Sequence, residues 1–180
     1  RVIYDLITTL DTSSYPFTLN CDSGDMITAD SVILATGASA RWLGLDSETS
    51  FNGRGVSACA TCDGFFFKNQ RVAVIGGGDS AMEEALFLAR ICTSVKLIHR
   101  RDKFSATPLL VDQVLSNPKV EVIWDSVVEE FYSHNDDLLS HVIVKHVHTG
   151  ELRDLEVEGA FVAIGHKPNT DIFKDYLDMD

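Results

Sequence analysis

The run Val72-Ala73-Val74-Ile75-Gly76-Gly77-Gly78-Asp79-Ser80-Ala81 constrains this chain more than any other stretch. Four apolar residues of strand character empty into G-x-G-x-x-A, and residues 82–91 follow with a helical pattern. A dinucleotide pyrophosphate must lie against bare backbone at the start of a helix, where unpaired N–H groups and the helix dipole favour an anion. Gly76 then permits the tight turn, and Gly78 withholds a side chain from the phosphates. Asp79 and Ser80 stand between it and Ala81, which is small enough for the helix to pack closely on the strand.

A second strand, residues 95–99, ends about twenty residues beyond the glycine turn, where an NAD site would carry an acidic residue for the ribose 2′-hydroxyl. His99, Arg100 and Arg101 stand there instead. Two guanidinium groups suit a 2′-phosphate, so the unit is expected to take NADP(H) in preference to NAD(H).

Upstream lies Cys59-Ala60-Thr61-Cys62-Asp63. The two cysteines are close enough to form a small disulfide ring in a turn, with Asp63 beside them as a candidate proton donor or acceptor. Cys21 and Cys92 stand alone in apolar surroundings and read as buried structural thiols. No second C-x-x-C exists, and His141, His146 and His148 read as the polar face of strands, so no metal site is expected.

The expected fold class is α/β: a Rossmann-like, three-layer nucleotide-binding domain built as βαβαβ plus an antiparallel β insertion, flanked by β segments of a second domain. Residues 72–75, 95–99 and 120–124 supply the three strands, with helices at 82–91 and 102–117. Leu109, Leu110, Val114 and Leu115 supply the apolar face of the second helix. Residues 126–133, 140–147 and 152–157 alternate between turn signals and read as the antiparallel insertion, with residues 160–164 a further buried strand. Before the glycine unit, residues 2–10, 17–21 and 26–35 read as a meander. Residues 39–56 read as a connecting segment, with Trp42 and Phe51 as packed anchors.

The words SACATCDG, VAVIGGGDSAMEEA, LIHRRDKF and AIGHKPNT occur in this order between Ser57 and Thr170. Together they resemble the pyridine-nucleotide domain of the low-molecular-weight thioredoxin reductases. That resemblance implies three parts: residues 1–42 from an FAD-binding domain, 43–166 an NADPH-binding domain with the redox pair, and 167–180 the return into the FAD domain. It implies that Ile164 and Gly165 border the NADPH site, and that Thr36 and Gly37, at the end of a VILATGA strand, approach FAD. It further implies a relay from NADPH through FAD to a Cys59–Cys62 disulfide, and on to oxidised thioredoxin. Cys62 would lie nearest the flavin, Cys59 would attack the partner disulfide, and Asp63 would manage protons. The domain would rotate between two poses, with hinges near Leu43 to Leu45 and Gly165 to Pro168. One departure stands out: Ser105 occupies the place where the family commonly has a further arginine.

Net charge is −12, with 45% hydrophobic residues, which argues for a globular chain and against nucleic acid or an anionic membrane as partner. No apolar run is long enough to span a bilayer and no export signal is visible, so a cytoplasmic location is expected. A start at Arg1 reads as a fragment, and the full-length protein is expected to be a homodimer. Two other functions fit parts of the pattern. The flavin subunit of an alkyl hydroperoxide reductase would favour Pro-His between the cysteines, where this chain has Ala60-Thr61. A redox-inert NADP-binding module would have no need of the cysteine pair.

Overall fold

The computed structural model describes residues 1–135 and 137–174, which fall into two compact units. One comprises Arg1–Ser39 with Pro168–Asp180, and the other Ala40–Lys167. Short strands β4 (Ala38–Ala40) and β13 (His166–Pro168) carry the chain across the boundary. The last six positions of the expected return segment, 175–180, lie outside the described residues.

The smaller unit is an antiparallel meander of β1 (Ile7–Asp11), β2 (Phe17–Cys21) and β3 (Met26–Ala29), in spatial order. Two expected strands are shorter here than their β-rich sequence suggests. Residues 2–6 and 30–35 join no ladder among the described residues, and Ile33 is 92% exposed. A β-prone run that no neighbouring strand pairs gains little from strand geometry.

The larger unit holds α1 (Asp46–Phe51), β5 (Val56–Ser57), α2 (Ala60–Asp63), β6 (Arg71–Gly76), α3 (Asp79–Ile91) and β7 (Ser94–Ile98). It continues with α4 (Pro108–Leu115), β8 (Val120–Ile123), β9 (Ser126–Tyr132), β10 (His141–His146), β11 (Leu152–Glu156) and β12 (Gly159–Ala163). Five strands form a parallel sheet in the order β5-β12-β6-β7-β8. Strand periodicity divides its residues between two cores. Val72 and Val74 face the helices with Phe161, Val95 and Leu97, whereas Ala73 and Ile75 face the antiparallel sheet β11-β10-β9 with Val162 and Ile98. A sheet covered on both faces needs strands that are apolar throughout, which is why residues 72–75 show no alternation. The third layer is α3, whose Ala81, Met82, Ala85, Leu88 and Ala89 are all buried at helical spacing. Truncating Leu88 to Ala would cost about 2–5 kcal/mol.

Three expectations need correction. The connecting segment contains α1: the buried carboxylate of Glu48 accepts the Leu43 and Gly44 N–H groups at 2.9 Å each, and Phe51 sits in the core. Trp42, expected as a second anchor, is 39% exposed. The helix expected over 102–117 begins only at Pro108, since the residue before a proline is driven to extended backbone, as Thr107 is at ψ 141°. Its buried contact comes from Val114 with Leu110 and Val111, while Leu109 and Leu115 are 69% and 55% exposed.

Candidate functional site

A cleft of about 630 Å³ opens at the carboxyl ends of β6, β7 and β12. Ligands of open α/β sheets bind at such strand ends. Gly76, Gly78, Asp79, Ser80, His99, Arg100, Arg101, Ile164 and Gly165 all line it. Ala81 does not; it is fully buried beneath the turn, where its small side chain sets the helix against the strand.

The three glycines have different reasons. A Cβ on Gly76 would lie 2.4 Å from the Ala163 carbonyl and 2.7 Å from the Ala81 Cβ, so packing, rather than turn geometry, requires glycine there. A Cβ on Gly77 would sit 2.1 Å from the His99 ring. At Gly78 the nearest atom would be the Ser105 Oγ at 3.9 Å, so the protein itself leaves that space open. Gly78 is also the N-cap residue of α3. The turn therefore offers bare backbone at a helix N-terminus in the way an anionic ligand requires.

His99 is buried, with Nδ1 and Nε2 each 3.0 Å from a carbonyl oxygen, of Gly76 and Lys103 respectively. Either tautomer carries one N–H and donates it to one of these two carbonyls, so the ring braces the turn from inside the fold. Arg100 and Arg101 are exposed at the cleft. Ser105 donates through both N–H (2.9 Å) and Oγ (3.1 Å) to the Gly77 carbonyl. Gly165 closes the rim with φ +102, a left-handed bend that glycine adopts without strain.

Cys59 and Cys62 form a disulfide with Cα atoms 5.3 Å apart, and neither lines this cleft. Cys59 is the N-cap of α2, its Sγ accepting the Cys62 N–H at 3.2 Å. Buried Ser57 joins the pieces: its hydroxyl donates to Asp63 Oδ2 at 2.6 Å and accepts the Cys59 N–H at 3.1 Å. On this unit Cys62 is the exposed cysteine and Cys59 is half-buried. Cys21 and Cys92 are free and buried, and burial pushes the Cys92 thiol up to about 11.

Thr36 and Gly37 belong to the smaller unit, where they are bound to Asn169. The Thr36 hydroxyl donates to the Asn169 carbonyl at 2.8 Å, and the Asn169 N–H donates to the Gly37 carbonyl at 3.0 Å. Ser57, Gly77 and the cleft-lining Arg41 escaped the sequence reading. Gly77 takes its constraint from His99, remote in sequence, Arg41 lies outside any motif, and the Ser57 hydroxyl gains its partners only once α2 has folded. Among the described residues no group of three His, Cys, Asp or Glu is placed to hold a metal ion, and no helix is long and apolar enough to cross a membrane.

The sequence pattern of the pyridine nucleotide-disulphide oxidoreductases matches residues 3–180. A thioredoxin reductase of Rickettsia conorii is 47% identical over 181 residues, covering all of this chain and 58% of that protein. One from Escherichia coli O157:H7 is 46% identical, covering all of this chain and 57% of its own length. The crystal structure of Lactococcus lactis thioredoxin reductase superposes with a TM-score of 0.88 at 38% identity, over 99% of this chain and 58% of that one. The chain thus spans less than two thirds of the relatives it matches.

Proposed function

Since the chain belongs to the pyridine nucleotide-disulphide oxidoreductase family, we propose that it forms the nucleotide-binding and redox-active part of an NADPH-dependent thioredoxin reductase. The observation that carries this reading is one unit holding both a disulfide at the N-terminus of α2 and, apart from it, a glycine-turn cleft with an arginine pair at its edge. The α3 N-terminus with Gly78 receives the pyrophosphate. Arg100 and Arg101 take the 2′-phosphate, and Ile164 and Gly165 border the nucleotide. Bound FAD would supply the two-electron carrier between nicotinamide and disulfide, with Thr36 and Gly37 contributing to its site.

Two electrons and one proton convert the Cys59–Cys62 disulfide into one thiol and one thiolate. The Cys62 N–H already points at Cys59 Sγ, and a donor at that distance favours a thiolate on Cys59. Cys59 then attacks the disulfide of oxidised thioredoxin, and Cys62 attacks the resulting mixed disulfide to release reduced partner and restore the ring. Asp63, held by Ser57, gives or takes the proton. Phe65 and Phe66, 63% and 79% exposed just beyond this turn, suit a protein rather than a small substrate. In this reading the working protein is a cytoplasmic homodimer.

Ala60-Thr61 between the cysteines weighs against a hydroperoxide-reductase subunit, and the formed disulfide weighs against an inert nucleotide module. The test is NADPH-dependent reduction of thioredoxin by the FAD-loaded protein that carries this chain. Thioredoxin reduction with NADPH and little with NADH is expected. Activity only toward a peroxidase partner, or none with either nucleotide, would overturn the reading.

A further inference from the structure

Residues 102–107 follow the arginine pair and carry no regular secondary structure, yet the loop is tied to the glycine turn along its whole length. His99, at its root, contacts the Gly76 and Lys103 carbonyls. In its middle, Ser105 makes the two hydrogen bonds to the Gly77 carbonyl. At its far end the Thr107 N–H donates to Asp79 Oδ1 at 2.6 Å. Phe104 closes the back, its ring centroid 4.3 Å from Trp124 and 5.1 Å from His99. Asp79 is the first residue of α3, so the same turn that faces the pyrophosphate also anchors both the middle and the end of the arginine-bearing loop.

We propose that Asp79 and Ser105 are positioning residues for nucleotide selection: they clamp the 102–107 loop to the glycine turn, so that Arg100 and Arg101 wait at a fixed separation from the pyrophosphate site. This deepens the reading of the cleft as an NADP(H) site and rests on it. The Ser105 hydroxyl is committed to Gly77, so selectivity here comes from two guanidinium groups on a rigid support rather than from a third cation. A support that is already ordered needs no ordering when ligand binds, and that saving falls on the ligand whose extra phosphate touches the loop. NAD+ lacks the 2′-phosphate that would touch the loop and gains little from the clamp.

Calorimetric titration of NADP+ and NAD+ into the intact chain decides the matter without relying on turnover. Asp79→Ala is expected to weaken NADP+ about fivefold or more, with NAD+ changing about twofold or less. Ser105→Ala loses one neutral hydrogen bond while its N–H keeps the backbone contact, so about a threefold loss confined to NADP+ is expected. Asp79→Asn retains an acceptor for Thr107 and should restore NADP+ binding, which keeps the test sound should the alanine variant fold poorly. Equal weakening of both nucleotides, or tightening of both, would overturn the clamp and make Asp79 a ligand contact or a repulsive charge. Wild-type binding that is indifferent to Arg100→Ala with Arg101→Ala would overturn the NADP(H) reading itself. Loss in that double variant with no change in Asp79→Ala or Ser105→Ala would overturn the clamp alone.

Discussion

Replacing Gly77 or Gly78 by alanine adds the same methyl group to adjacent residues, and the structure predicts opposite outcomes. At Gly77 the new Cβ would lie 2.1 Å from His99 Cε1 and 2.2 Å from Nδ1. The ring cannot yield cheaply, because it is wedged between the Gly76 and Lys103 carbonyls, to one of which its N–H donates, and Phe104 and Trp124 flank it. Overpacking costs about 1–3 kcal/mol and the hydrogen bond lost as the ring moves about 1 more, giving roughly 2–4 kcal/mol. For a chain of this size that is a drop in Tm of roughly 5–15 °C. At Gly78 the Cβ meets only the Ser105 Oγ at 3.9 Å, so stability should stay within about 0.5 kcal/mol of wild type. That Cβ instead occupies the approach to the pyrophosphate, and NADP+ affinity should fall by tenfold or so, about 1.4 kcal/mol. Thermal unfolding by circular dichroism and calorimetric titration with NADP+ read the two effects separately. Wild-type stability in Gly77→Ala, or wild-type affinity in Gly78→Ala, would refute the reasoning.

Further outcomes are expected elsewhere in the larger unit. Burial raises the Glu84 carboxyl, one oxygen of which has no hydrogen-bond partner, although the Ala60 N–H pulls the other way. A raised carboxyl contributes stability below its ordinary value of 4.5 that is lost as pH rises through the folded value, so Glu84→Gln should stabilise by about 1 kcal/mol near pH 8 and hardly at all near pH 4, as Tm against pH would reveal. Asp63→Asn should slow disulfide turnover by about 10²-fold or less, and Ser57→Ala by a smaller factor in the same steady-state assay. Iodoacetamide applied to the reduced folded chain should label Cys59 and Cys62 well before Cys92, whose thiol burial pushes up to about 11; peptide mass mapping would show early Cys92 labelling if that account is wrong.

What could be read from sequence was whatever leaves a local pattern. Residues 72–75 announce a strand covered on both faces because all four are apolar, and G-x-G-x-x-A marks the turn into α3 within six positions. The cysteine pair and its aspartate were legible for the same reason. Tertiary causes left no such trace. The α1 helix is six residues long and rests on Glu48 reaching back to Leu43 and Gly44, so periodicity had nothing to accumulate over. Ser57 opens the SACATCDG word with no role legible in it, and only the fold sets its hydroxyl between Asp63 and Cys59. Gly77 stands at a position that the G-x-G-x-x-A pattern leaves open, and only the packing of His99 against it makes a side chain there costly. Pro108 was a local signal available in the sequence and marks the start of α4.

The central claim is that electrons reach thioredoxin through Cys59 and Cys62. It is tested most directly by mixing NADPH with the FAD-loaded protein carrying Cys59→Ser, following flavin absorbance by rapid mixing and thioredoxin thiols in the same sample. The account predicts that flavin absorbance still bleaches with NADPH while no thioredoxin thiols appear, against one pair per NADPH oxidised in the wild type. Thioredoxin reduced at an undiminished rate by the Cys59→Ser protein would contradict it.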